Sequence, residues 1–257
     1  MDINKGDYVT RKSYNNDTLF KVINVDKDVY YLKGVEVRLY ADSFYTDLKK
    51  VEEPVEDKFE RKSKIDEEIG KEDYFYLPAK ILHVDGDNEY LEKCLKFYKK
   101  SSVYAIGKKI SEDNMYEQVP ILLHEYKPDI LIITGHDAFL KKKGEKENID
   151  NYKNTANFVK AVKSARKYEQ SHEKLVVIAG ACQSNYEELI KAGANFASSP
   201  KRVNIHALDP AIIAVTLALT ERSKEIDVKS LLSKTKYGKD GMGGIMCNGL
   251  MYVGYPR

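Results

Sequence analysis

The run Leu175–Ala179 constrains this chain most: four apolar residues and an alanine, β-branched at three positions, stop at Gly180, Ala181 and Cys182. Such a run reads as a strand buried on both faces, and those strands belong to parallel sheets covered by helices. Cys182 then sits at a strand tip. Ser184 and Glu187 have the spacing of a capping box, so the reading starts a helix two residues after the thiol and ends it at Gly193. A thiol beside a helix N-terminus is expected to have a lowered pKa and to attack carbonyls.

A second run, Asp129–Thr134, ends in Gly135, His136 and Asp137. Parallel strands present their carboxyl ends on one edge, so His136 and Cys182 face one crevice if the strands are neighbours. Residues 145–172 between them hold a helical pattern long enough for one crossover. A histidine and a cysteine on adjacent tips form a nucleophile and its base.

Around these two strands the chain reads as α/β. A strand over 79–84 leads to Asp85, Gly86 and Asp87, and Leu91, Cys94, Leu95 and Tyr98 recur at helical spacing, which makes Cys94 a small core hydrophobe. A strand at 102–106 and a helix at 113–126, blemished by Pro120, precede the His136 strand. After Cys182 come a short buried strand and a loop over 192–200, leaving the same edge, and a helix over 210–220, with Asp209 as its N-cap and Pro210 in its first turn. The glycine-rich stretch 238–249 reads as turns around a last strand, with Cys247 incidental; it lacks the Gly-Lys-Ser/Thr of a phosphate loop.

Ahead of this lies a different pattern. Residues 7–10, 18–23, 29–32 and 35–40 are β-rich and separated by polar turns, which suggests a small SH3-like β-barrel over 1–51. Residues 52–72 are dominated by charge and read as a linker, leaving 73–257 as the α/β domain.

Composition narrows the function classes. With 42 basic and 40 acidic residues among 257, the net charge of +2 gives no strong pull on nucleic acid or membrane. Three scattered cysteines form neither a disulfide framework nor a paired metal motif, so a reducing cytoplasm is expected, and the Cys182/His136 chemistry requires no metal or organic cofactor. The first six residues lack the apolar core of a signal peptide, and no run of about 18 apolar residues occurs.

The motif pair Thr134-Gly135-His136-Asp137 and Gly180-Ala181-Cys182-Gln183-Ser184 resembles the caspase, legumain, gingipain and clostripain-like cysteine peptidases, where the histidine strand precedes the cysteine strand. More closely, the chain resembles the YabG family of sporulation-specific cysteine proteases. That likeness is carried by Gly6-Asp7, Arg11–Ser13, Leu82–Asp87, Ile133–Ala138, Ala179–Ser184, Ala192–Pro200 and Arg202–Pro210. It implies a caspase-like fold, a His136/Cys182 dyad, and cleavage of spore coat and germination proteins in the mother cell after arginine or another basic residue. In the wider group glycine usually follows the catalytic histidine, whereas here Asp137 does. The expected oxyanion donors are the N–H groups of Cys182 and Asp137, with the Asp137 carboxylate turned away. An arginine-reading pocket needs a carboxylate, and Asp85, Asp87 and Asp209 are the candidates, Asp85 first because no capping role competes for it. Two alternatives stand beside this reading: an amidotransferase-like hydrolase using Cys182 with His206, and a non-catalytic protein whose barrel binds coat proteins or RNA.

Overall fold

The computed structural model describes residues 3–52, 74–140 and 144–255. All of the 52–72 linker reading except Glu52 lies outside them. Two compact units are present: Met1–Val35, Tyr40–Leu77 and Val253–Arg257 form one, and Glu36–Leu39 with Pro78–Tyr252 form the other.

The first unit is a five-stranded antiparallel sheet of β1 (Tyr8–Arg11), β2 (Phe20–Asp26), β3 (Val29–Gly34), β4 (Tyr40–Phe44) and β5 (Leu48–Val51). Their order is β4-β3-β2-β1-β5, and a short β6 (Phe75–Leu77) follows later in the chain. The expected SH3-like barrel is reduced to this sheet: among the described residues no ladder joins β4 to β5. The expected strand over 35–40 is also corrected. Glu36–Leu39 departs from the sheet and belongs to the second unit, where Val37 and Leu39 are buried and Arg38 is fully enclosed.

The second unit is a six-stranded sheet of β7 (Ile81–Asp85), β8 (Ala105–Lys109), β9 (Ile130–Thr134), β10 (Val176–Ala179), β11 (Phe196–Ser198) and β12 (Met242–Gly244), in the order β12-β11-β10-β9-β7-β8. Five strands run parallel, while β12 is antiparallel to β11, so the sheet is mixed where a parallel one was expected. The glycine-rich tail thus supplies an edge strand: a Cβ on Gly244 would collide with the Phe196 ring. One face packs on α2 (Met115–Tyr126) and α3 (Thr155–Tyr168), through Leu82, Val84, Leu131, Ile133 and Val177 against Val119, Leu123, Phe158 and Val162. On the other lie α1 (Asn88–Lys100) and the almost wholly apolar α5 (Asp209–Leu219). Helices on both faces leave β7, β9 and β10 completely buried; β9 and β10 read as nearly continuous apolar runs, while β7 also buries His83 and Asp85.

The registers align the strand ends. Asp85 is opposite Lys109 and Thr134, and Ile133 is opposite Ala179, so the segments beginning at Gly86, Ile110, Gly135 and Gly180 all leave one edge. No helix among the described residues is long and apolar enough to cross a membrane.

Candidate active site

The cysteine turn is built by its own backbone. Gly180 has a φ of +105°, and a Cβ there would overlap the Ser198 hydroxyl; Gln183, at +59°, is left-handed without being glycine. Cys182 lies between them on a tight turn. Ser198 donates to the Ala181 carbonyl (2.7 Å), the Ala181 N–H donates to Ser184 Oγ (3.0 Å), and the Gln183 N–H donates to Ser199 Oγ (2.8 Å). Ser184 is therefore a turn brace rather than a helix cap. The helix α4 (Tyr186–Lys191) starts four residues after the thiol, capped by Asn185, which accepts from the Glu188 N–H. The expected capping box is replaced because the Ser184 oxygen accepts from the Ala181 N–H and its proton is given to Asp137 (2.8 Å), which holds the side chain in the turn and away from the helix end.

Cys182 is completely buried, accepts from the Ile205 N–H (3.3 Å), and lies 3.7 Å from the Ile205 carbonyl. Burial pushes its thiol pKa up to about 12, against the weaker lowering by the N–H groups of Ile205 and Arg38. The expected lowering at a helix N-terminus is thus reversed: α4 is short and starts too late, and desolvation of a thiolate outweighs the remaining donors.

His136 leaves the next strand. Its N–H donates to Glu112 Oε1 (2.8 Å), its Nδ1 is 3.6 Å from the same oxygen, and its Nε2 is 3.6 Å from Asp87 Oδ2. The Tyr90 ring stands 5.8 Å away. Burial alone would raise the Glu112 pKa, but its bonds to His136 hold it below the ordinary value. Gly86 and Gly135 both face the Glu112 carboxylate so closely that a Cβ on either would collide with it. Sequence reasoning missed Glu112. The available signal was its position just beyond the tip of β8, on the edge that carries His136 and Cys182.

Asp137 ties the two tips together. Its carboxylate turns inward and accepts from the N–H groups of Ala138 (2.9 Å) and Asn154 (2.7 Å) and from the hydroxyls of Thr155 and Ser184. Burial raises its pKa nonetheless. Among the described residues the backbone N–H groups of Asp137 and Cys182 have no acceptor.

The three carboxylates expected to read arginine have other partners. Asp85, fully buried, is ion-paired with Arg38 and accepts from Thr134 Oγ1 and the Asp87 N–H, each at 2.8 Å. Burial would raise its pKa, but the Arg38 guanidinium holds it well below the carboxylate range. Asp87 caps α1, accepting from the N–H groups of Glu89 and Tyr90. Asp209 is the first residue of α5 rather than its cap, and accepts from the N–H groups of His206 and Lys236, each at 2.9 Å. His206 accepts from the Leu208 N–H through Nδ1 (3.1 Å), and burial lowers its pKa to about 4. Cys94 is buried as expected, donating to the Ala207 carbonyl (3.4 Å), while Cys247 is half-buried with its pKa raised to about 11 by burial. No cluster suited to a metal ion occurs among the described residues.

Comparison with known proteins shows the family. The family described as YabG peptidase U57 matches residues 4–71 and 55–256. The sporulation-specific protease YabG of Bacillus subtilis (strain 168) is 40% identical over 286 residues, covering all of this chain and 99% of that protein. With a match along its whole length, the chain belongs to the YabG family of peptidases.

Proposed function

We propose that this peptidase is a cysteine endopeptidase in which Cys182 is the nucleophile and His136 its base. The observation that carries the reading is the pairing of β9 with β10, which brings Gly-His136-Asp137 and Gly-Ala-Cys182 out on one edge, bridged by the Asp137–Ser184 hydrogen bond. Cys182 attacks the scissile carbonyl as a thiolate, and the thiol proton passes by way of His136 to the leaving amine. The N–H groups of Cys182 and Asp137 donate to the oxyanion, a role supported by their having no acceptor among the described residues and by the turn of the Asp137 carboxylate away from them. Water then hydrolyses the acyl-enzyme. Glu112 and Asp87 hold the imidazole from two sides.

The substrates are proteins cleaved after arginine or another basic residue, among them spore coat and germination proteins made in the mother cell. Sporulation is supported by the name of the Bacillus subtilis relative, and the preference for a cation by the buried carboxylate of Asp85 at the same edge. The test is turnover of matched arginine and glutamine peptides by the wild type and by Cys182→Ala, His136→Ala and His206→Ala. The first two are expected to lose activity and the third to keep it; loss in His206→Ala with an active His136→Ala refutes the dyad.

A further inference from the structure

Arg38 already fills the acidic pocket. Its guanidinium pairs with Asp85 through Nη1, donates from Nη2 to the Ala207 carbonyl (3.2 Å) and reaches Cys94 Sγ (3.7 Å), entirely out of solvent. Its backbone N–H is near enough to the Cys182 sulfur to pull against the burial that raises the thiol pKa. The neighbouring residues pair like a strand: Val37 forms an antiparallel bridge with His206, the Ala207 N–H donates to the Glu36 carbonyl (2.9 Å), and the Tyr90 hydroxyl donates to the Val37 carbonyl (2.8 Å).

Proteins take up extended peptides in this way, with main-chain pairing for affinity and a pocket for one side chain. Glu36–Leu39 makes the contacts of a peptide with arginine at the cleavage position. Two features separate it from a peptide ready for attack. The Leu39 N–H donates to the Val37 carbonyl (2.9 Å), closing a three-residue turn centred on Arg38 and folding the Arg38–Leu39 bond back instead of extending it across the thiol. In addition, Arg38 Nε has no acceptor among the described residues although it is buried. That donor costs about 1–3 kcal/mol, so Arg38 fits its surroundings less than fully.

We propose that Glu36–Leu39 is an internal substrate mimic: it occupies the arginine pocket and covers Cys182, so that the chain competes in cis with arginyl substrates. The proposal rests on the cysteine-peptidase reading of this edge and adds the occupant. It explains why Asp85 and Cys182 are both sealed from solvent, and it makes vacating the pocket a step before any arginyl substrate binds.

The test reads binding in the full-length chain with turnover removed by Cys182→Ala, so that it does not depend on which histidine is the base. Acetyl-Glu-Val-Arg-amide is titrated by calorimetry into Cys182→Ala and into Cys182→Ala carrying Arg38→Ala. The second variant is expected to bind at least about tenfold more tightly than the first, because the internal competitor is gone, and to reject the glutamine peptide. Ethylguanidinium is expected to raise the melting temperature of the Arg38→Ala variant and not that of its parent, by filling the vacated site. Arg38→Gln, which nearly fills the same volume and still donates to Asp85, serves if Arg38→Ala does not fold, with the same direction of change in peptide affinity. A folded Arg38 variant that binds the arginyl peptide no better than its parent overturns the proposal and leaves Arg38 as a structural staple.

Discussion

Replacing Asp137 separates the tie between the two strand tips from the chemistry at them. In Asp137→Ala four donors lose their acceptor. The two hydroxyls can rotate and retain other work, since Ser184 Oγ still accepts from the Ala181 N–H and Thr155 Oγ1 from the Asn185 N–H. The backbone N–H groups of Ala138 and Asn154 cannot rotate. Each costs about 1–3 kcal/mol when stranded, and part of this is offset because a buried carboxylate no longer has to be desolvated. The net expectation is about 3 kcal/mol, a fall in melting temperature of about 6–12 °C for a unit of this size. Asp137→Asn keeps one carbonyl oxygen for both N–H groups and turns an amide N–H₂ to the two hydroxyls, which can accept. It is expected to cost about 1 kcal/mol. Thermal unfolding of the three proteins at pH 7 checks this. Equal losses in Ala and Asn would refute the reasoning, because they would mean that the charge of Asp137, rather than its acceptor geometry, holds the tips.

Two further outcomes follow from the neighbouring groups. Glu112→Ala is expected to lower kcat about 10²-fold with little change in KM and a displaced pH profile, while Glu112→Gln, which still accepts from the His136 N–H, restores most of the rate; steady-state kinetics across pH on an arginyl peptide decides. For His206, the folded-state pKa of about 4 lies below the ordinary 6.5, so the unfolded chain takes up a proton that the folded one refuses. Stability therefore falls as pH drops from about 6.5 to 4, by at most about 3 kcal/mol, and His206→Gln should remove that slope in denaturant midpoints measured at successive pH values.

The sequence by itself determined the elements whose pattern is local. Both faces of β9 and β10 are buried, so their apolar runs read as sheet-core strands, β7 is legible from Ile81, Leu82 and Val84, and their ends at Gly86, Gly135 and Gly180 put Asp85, His136 and Cys182 on one edge. The motif resemblance named the family on the same residues. Partners distant in the chain were decided by tertiary structure alone. The place of Glu112 just beyond β8 put it on the right edge, but only the packed structure showed that it receives the His136 N–H from 24 positions away, and nothing near Val35–Tyr40 announces that Arg38 would leave a β-rich run to meet Asp85, 47 positions on. Ser184 followed by Glu187 satisfies a local capping rule, yet its hydroxyl oxygen accepts from the Ala181 N–H inside the turn while its proton goes to Asp137, and Asn185 caps the helix instead. The thiol shows the same limit from the other side. Its place at a strand tip is written in the local sequence, but its pKa depends on how much water reaches it, and solvent access is a property of the whole packed unit.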